Sequence, residues 1–421
     1  MPSTKLISTV KNLLLATVFI LLSSFIIIKH KDTSIINRVF DTAVKQYTGM
    51  LEEAKDLSYY PRSTDENGKL KQVGINDWTG GFWPGSLWYV YEYTQDDFWK
   101  QSALKWTKSL EKNQYNNTHH DLGFMMYCSY GNALRLTKDS TFSPILIQSA
   151  KSLISRYSPQ VKSIKSWDER KSYNKKHTWK FPVIIDNMMN LELLFFASNQ
   201  TKDPVYRDIA IKHAETAMRN HVRPDYSSFH MINYDERTGE VLDRKTVQGF
   251  SDNSLWARGQ AWAVYGFTVV YRETKDERFL VTAQKMADFY LNNPKLPQDK
   301  IPFWDFNTGE KGYVPEWDYD PNQYQPTPKD ASASAIMASA LLELCTYSNQ
   351  KLKAKYFNEA EIMLETLSSK KYLAKPGTNN HFLLKSSVGN MPRKSEVNVP
   401  IIYADYYFLE ALLRYKNLKE N

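Results

Sequence analysis

The chain has 421 residues, with 54 Lys and Arg against 46 Asp and Glu, for a formal charge of +8. The basic residues are scattered among the acidic ones, not gathered in a dense stripe. This argues against a nucleic-acid binder and suits anionic small substrates. The two cysteines, Cys128 and Cys345, lie in apolar runs and read as buried free thiols, with no disulfide framework and no zinc spacing. Aromatic residues make up 14% of the chain, with 11 Trp and 27 Tyr among them. Such residues serve a large core and also suit the apolar faces and polar edges of sugar rings.

Taken in chain order, the first segment stands apart. Lys5 and Lys11 precede the run NLLLATVFILLSSFIII, and Lys29, His30 and Lys31 follow it. An apolar run of roughly 17 residues lies between a signal-peptide core and a membrane span in length. Residues 1–30 are therefore expected to be an export signal or an uncleaved anchor, with 12–28 as the tether in the second case. Either outcome places residues 34–421 in the periplasm or at the cell surface.

From there the pattern is almost wholly helical. Six segments begin with a polar or glycine-bearing loop and continue into helices rich in small and aromatic residues. They include GGFWPGSLWYVYEYT, DLGFMMYCSYGNALRLT, IIDNMMNLELLFFASNQT and SLWARGQAWAVYGFTVVYRET, then DASASAIMASALLELCTYS and VPIIYADYYFLEALLRY. Between them run amphipathic helices such as DFWKQSALKWTKSLEKNQ and DPVYRDIAIKHAETAMRNHV, each with one apolar stripe. Helices apolar nearly all round alternate with helices apolar on one side. This predicts two concentric layers, an all-α (α/α)6 barrel of six inner and six outer helices forming a single catalytic domain. Two stretches break the pattern. HMINYDERTGEVLDRKTVQG reads as a hairpin turning at Thr238-Gly239, and the segment 301–330 reads as a long functional loop.

Each inner helix is expected to start at the same rim, which gathers Asp121, Asp186, Arg258 and Asp330 around one cavity. Asp186 reads equally as a helix N-cap and as a general acid whose pKa an apolar setting would raise. Asp121, in THHDLGF, reads the same two ways. Adjacent residues on an extended segment point to opposite sides, so His119-His120-Asp121 is a poor metal site, and none is expected. His120 is expected to position substrate or bond within the rim; His230, a lone histidine, reads first as structural. Arg258 and Trp262 are four apart on one helix face, and read either as a clamp for a uronate carboxylate or as an Arg–Trp stack in the core. Gln248 suits a sugar hydroxyl. Trp78 and Trp83 suit stacking on a ring, and Trp83 reads equally as core.

DWTGGFWPGSLW, HDLGF, IIDNMMNLELL, SSFHMINYD, VQGFSDNSLWARGQAWAVYG, DASASAI and VPIIYADYYFLEAL together carry a resemblance. From about residue 34 onward the chain resembles the unsaturated glucuronyl hydrolases of glycoside hydrolase family 88. The resemblance implies an (α/α)6 barrel that removes a 4,5-unsaturated uronic acid from the non-reducing end of oligosaccharides left by a polysaccharide lyase. It implies Asp186 as general acid/base and Asp121 as the second essential aspartate. It implies substrate contacts at Trp78 or Trp83, His120, His230, Gln248, Arg258 and Trp262. The chemistry it implies is hydration of a vinyl ether, which requires no metal or cofactor. Asp121 would hold water or ring hydroxyls and keep Asp186 protonated by like-charge repulsion.

The N-terminal apolar segment is not part of that family's core pattern. Near the other end, LLKSSVGNMPRKSEV lies where the resemblance implies contacts to the second sugar and to sulfate on it. Ser386, Ser387, Lys385, Arg393 and Lys394 are the candidates there, and a solvated basic loop is the competing reading. The aglycone stays open among chondroitin, hyaluronan, heparin and ulvan fragments. The rival functions are an unsaturated rhamnogalacturonyl hydrolase, an inverting glycosidase on saturated sugars and a non-catalytic cell-surface carbohydrate-binding protein.

Overall fold

The computed structural model describes residues 35–420. The 1–30 signal or anchor segment, with its apolar run 12–28, lies outside the described residues. Among the described residues no helix is long and apolar enough to cross a membrane.

Two rings of helices form the body. The inner ring contains Phe82–Thr94, the Gly123–Gly131 π-helix running on into Asn132–Thr137, Leu191–Thr201, Ala257–Thr274, Ala331–Leu344 and Ile402–Glu420. Each packs on the next and the last packs on the first, so the ring closes. The outer ring contains residues 35–53, Asp97–Ser109, Ser143–Ile154, Pro204–Asn220, Glu277–Leu291 and Gln350–Leu367. The inner helices are buried nearly all round: Ala331–Leu344 hides 13 of its residues. Asp97–Ser109 by contrast buries only Trp99, Ala103, Trp106 and Thr107. The (α/α)6 expectation thus holds, because burial on two sides demands helices without a polar face.

The two ends of the barrel are built differently. At one end, inner helices pass to outer ones through near-identical turns: Thr94-Gln95-Asp96, Thr137-Lys138-Asp139, Thr201-Lys202-Asp203 and Thr274-Lys275-Asp276. In each, the middle residue is left-handed, with φ between 57° and 62°. The threonine hydroxyl bonds back to the carbonyl four residues earlier, and the aspartate caps the next helix through the N–H two residues on. At the other end the inner helices start at Gly81, Leu122, Ile184 and Trp256 without any side-chain cap; Asp330 is the exception. Unlike loops and small antiparallel sheets surround these starts, more strand than the helical pattern predicts. The most consequential is Pro182–Ile184, Met231–Tyr234 and Val241–Lys245, with Val183 opposite Ile232. The last two strands are the expected hairpin.

Close contacts fix the inner ring at this rim. A Cβ on Gly85 would lie 2.7 Å from the Cys128 carbonyl oxygen, and one on Gly123 would lie 2.5 Å from Asn190 Cα. Only glycine admits backbones this near.

Candidate active site

Asp186 follows directly from the three-stranded sheet. Ile184 pairs with Met231, and Ile185 N–H donates to the His230 carbonyl at 2.9 Å. The chain then tightens into a 3₁₀ turn, Ile185–Asn190, where an all-helical reading of the stretch does not hold. Asp186 lies within that turn and does not cap it. The residue is 6% exposed, and Oδ2 has no hydrogen-bond partner within the protein. Burial pushes its pKa up to about 7, against the opposing Arg258 charge. Asp121 also raises it, but as the weakest contribution, so desolvation outweighs the like-charge repulsion expected from the sequence.

His230 lies beside this carboxyl, with Nε2 3.8 Å from Asp186 Oδ2, too far for a hydrogen bond. Its Nδ1 accepts from the N–H groups of Val247 and Gln248 at 3.1 and 3.2 Å, which assigns the ring proton to Nε2, on the Asp186 side. Burial holds the ring neutral, well below the usual histidine pKa, and the ring lies 4.4 Å from Trp256. His230 is thereby a fixed, uncharged donor.

Asp121 is 7% exposed, and each of its oxygens faces a histidine. Oδ2 lies 3.1 Å from His119 Nδ1, and Oδ1 lies 3.3 Å from His120 Nε2. Asn116 Oδ1 accepts from Thr118 N–H and Oγ1, so its amide group faces His119 Nε2 at 3.1 Å, while His119 Nδ1 accepts the Asp121 backbone N–H at 3.2 Å. Ser166 Oγ accepts from Ile184 N–H and has its own proton for His120 Nδ1 at 3.4 Å, which leaves that ring's proton on Nε2. Burial, opposed by Asp121, lowers the His120 pKa to about 4. Burial tends to raise the Asp121 pKa, yet the two histidines outweigh it and hold the carboxyl below its usual value. The site therefore contains one carboxyl poised to carry a proton at neutral pH and one held ionised, an acid–base division set by surroundings alone.

Arg258, read as a uronate clamp or as an Arg–Trp stack, has most of its donors taken by the protein. Nη1 pairs with Asp330 Oδ2 at 2.7 Å and with the Val388 carbonyl; Nη2 donates to Gly389 O at 2.7 Å and Gln248 Oε1 at 2.8 Å. Four of its five donors are thus held by the protein. It stacks on Trp256 and Tyr403, at 4.6 and 5.3 Å, and not on Trp262. Gln248 is correspondingly occupied with Arg258. Trp262 is buried between Phe124 and Tyr407, with an indole N–H that no protein group accepts. Trp78 is half-buried at the rim against Phe124 and Tyr403. Trp83 is a correction: it points outward from the inner ring into Tyr47 and Trp106, is wholly buried, and offers no face to a sugar.

Along the 385–394 loop, Ser387 is wholly buried with an unpartnered hydroxyl, and the Ser386 carbonyl accepts from Ala331 N–H. Lys385 turns away to the Lys370 carbonyl, and Lys394 lies 3.6 Å from Asp318. His119 and Trp256 are site residues that the sequence patterns do not point to. His119 adjoins His120, and Trp256 precedes the helix, outside helical spacing from Arg258. Among the described residues no group of three or more His, Cys, Asp or Glu side chains is placed to hold a metal.

The Glycosyl Hydrolase Family 88 pattern matches residues 52–408. An unsaturated glucuronyl hydrolase of Formosa agariphila is 44% identical over 383 residues, 89% of this chain and 90% of that protein. An unsaturated chondroitin disaccharide hydrolase of Streptococcus agalactiae is 34% identical over 368 residues, 85% of each. A crystal structure of an unsaturated glucuronyl hydrolase specific for heparin superposes with a TM-score of 0.84 at 44% identity, covering 92% of this chain and 98% of that one. The ring of helices, the rim carboxylates and these matches lead to one assignment: the chain belongs to Glycosyl Hydrolase Family 88.

Proposed function

We propose that residues 34–421 remove a 4,5-unsaturated uronic acid from the non-reducing end of lyase-generated oligosaccharides, of glycosaminoglycan or ulvan type, by hydrating the C4=C5 bond. The observation that carries the mechanism is the partnerless Asp186 carboxyl, with a pKa raised to about 7. Protonated, it delivers its proton to C4 of the vinyl ether, and positive charge develops at C5 and the ring oxygen. The resulting carboxylate takes a proton from the water that attacks C5. The hemiketal opens to a ketone at C5, and the hemiacetal left at C1 releases the aglycone. One carboxyl serves both transfers and ends protonated again.

Asp121, ionised and held by His119 and His120, supports this chemistry by orienting water or ring hydroxyls and by stabilising positive charge. His230 presents its fixed Nε2–H beside Asp186. Trp78 and Trp262 supply aromatic surface and, from Trp262, a free indole donor. Ser386 and Ser387 remain candidates for contacts to the second sugar. The relatives named for chondroitin disaccharides and for heparin support the glycosaminoglycan class. The lysines flanking the N-terminal apolar run support export or anchoring, with action in the periplasm or at the cell surface.

The test follows the ultraviolet absorbance of the conjugated C4=C5 bond, with a panel of lyase-generated chondroitin, hyaluronan, heparin and ulvan oligosaccharides. Loss of absorbance with one class, abolished in Asp186→Asn, is the expected result. Full activity in that variant overturns the assignment. Recovery of the full-length protein from the membrane fraction, against a soluble truncate beginning at Asp32, would test the anchor.

A further inference from the structure

Trp78 stands at the rim on a tight turn. Asp77 N–H donates to the Gly74 carbonyl and Gly80 N–H to the Asp77 carbonyl, both at 3.0 Å. Asp77 Oδ1 accepts Thr79 N–H at 3.0 Å and Thr79 Oγ1 at 2.6 Å, so one carboxylate ties together the residues on either side of Trp78. Aromatic contacts at 5.4 Å to Phe124 and 5.2 Å to Tyr403 set how the ring leans, and the turn sets where it starts.

A distant arginine holds that turn. Arg62 lies in the strand Tyr59–Thr64, where Pro61 pairs with Gln72 and Ser63 with Lys71, so Arg62 is the extra residue of a bulge. A bulge re-aims a side chain, here toward Asp77. Arg62 Nη1 donates to both Asp77 oxygens, at 2.8 and 2.7 Å, while Nε and Nη2 donate to the two Glu396 oxygens at 2.6 and 2.9 Å. Four of its five N–H groups are thus used within the protein, which leaves no fork for a substrate anion. Lys71 adds a second cation 2.9 Å from Glu396. Burial tends to raise the Glu396 pKa, yet Arg62 and Lys71 outweigh it and lower it to about 2. The Glu396 backbone is left-handed, at φ 58°, a conformation a glutamate keeps only where its surroundings fix it.

Glu396 in turn presses on the seat of Arg258. A Cβ on Gly389 would lie 2.5 Å from Glu396 Oε2, and the Gly389 carbonyl accepts from Arg258 Nη2 at 2.7 Å. Tyr403 closes the circuit, 5.2 Å from Trp78 on one side and 5.3 Å from the Arg258 guanidinium on the other. We propose that Arg62 is a positioning residue: through Asp77 it sets the Trp78 indole at a fixed place relative to the Arg258 side of the mouth. This deepens the function proposed above and rests on its reading that Trp78 meets the sugar. A forked guanidinium can join two carboxylates in one plane, which an ammonium, a point charge, cannot.

The test compares Arg62→Lys, Trp78→Ala and the double variant with the wild type, on the lyase-generated oligosaccharide that the wild type turns over. Stacking on Trp78 is shared by bound substrate and transition state, so Arg62→Lys is expected to raise KM about tenfold and to change kcat by less than about twofold. In the Trp78→Ala background the same substitution is expected to leave KM unchanged, because its effect passes through the indole. Three outcomes overturn the proposal: an unchanged KM in Arg62→Lys, equal rises in both backgrounds, or a loss in kcat alone with a lower urea midpoint, which would make Arg62 a staple for the fold. The near-ultraviolet circular dichroism of Trp78, obtained by difference from Trp78→Phe, needs no substrate. It is expected to weaken in Arg62→Lys, and an unchanged signal overturns the proposal whatever the enzyme acts on. A weakened signal with no turnover of any oligosaccharide would instead overturn the function proposed above and leave the positioning of Trp78 intact.

Discussion

The same six inner helices end in opposite ways at the two mouths of the barrel. At the mouth of repeated turns lies a cavity of about 420 Å³ lined by Glu92, Arg135, Glu192, Arg272, Glu410 and Arg414. Every one of these charges is paired. Arg135 holds Glu92, Arg272 holds Glu192 and Glu343, and Glu410 accepts from Tyr89, Tyr265 and Ser339 beside Arg414. At the other mouth, Asp186 has no partner for Oδ2, and Trp262 and His230 have N–H groups that no protein atom accepts. Both ends contain buried acids. Chemistry is expected where polar groups are left open, not where acids are most numerous.

Substitutions test that contrast, the largest effect first. Asp186→Asn removes the proton carrier while keeping its shape, and kcat is expected to fall by about 10²- to 10⁴-fold. The same change is expected to stabilise the protein. Folded Asp186 keeps its proton until about pH 7, whereas the unfolded carboxyl ionises near 3.8, so its contribution to stability declines as pH rises through that window. The decline amounts to about 4 kcal/mol above pH 7, and a higher Tm for Asp186→Asn at pH 8 than for the wild type checks it. In the wild type the rate is expected to fall above about pH 7, as the acid loses its proton.

Arg258→Met leaves Asp330 buried without its partner and is expected to destabilise by about 3–5 kcal/mol, read from urea unfolding. Loss of the opposing charge also raises the Asp186 pKa, so the alkaline limb of the rate profile should move to higher pH. Arg272→Met at the opposite mouth also breaks a network, yet should leave that limb unmoved. A shift with Arg272→Met would erase the contrast between the ends.

Acid should act mainly through the histidines around the Asp186 strand. Burial lowers His120 and His221 to about 4 and His213 to about 3. Unfolded histidines bind protons near pH 6.5, so their contribution is present above that pH and is lost as pH falls toward the folded values. Each costs about 1.4 kcal/mol per pH unit in that window. Asp186 and Asp405, both raised to about 7, titrate the other way and offset part of the loss. A lower urea midpoint at pH 5 than at pH 7 is expected. The smallest effect should come from His119→Gln, which removes one bond to Asp121 and should lower kcat by about tenfold, with Asp121→Asn costing more.

The ring architecture was legible because burial on one side or two writes itself into polarity. Asp186 and Asp121 were legible as carboxylates at the start of apolar helices. What separated their roles was not, since it depends on Asn116, Ser166 and the backbone of Val247. The Arg258–Asp330 pair joins residues 72 apart in sequence, which spacing within a helix does not reveal. Trp83 shares a helix with rim residues, but its direction is set by the outer ring it packs against. The repeated Thr-(Lys/Gln)-Asp turns are present in the sequence, but the irregular loops at the other mouth obscure their period.

The near-contacts of Gly85 with the Cys128 carbonyl and of Gly123 with Asn190 have a consequence for how such a protein diversifies. With backbones that close, the bore cannot be widened by enlarging or shrinking side chains at these seams. New substrates must therefore be accommodated by lengthening, recharging or re-aiming the rim loops, while the ring stays fixed. A library confined to the 167–179 and 385–394 segments should yield altered saccharide preferences with intact folds, and one spread over the inner helices should yield mostly unfolded chains.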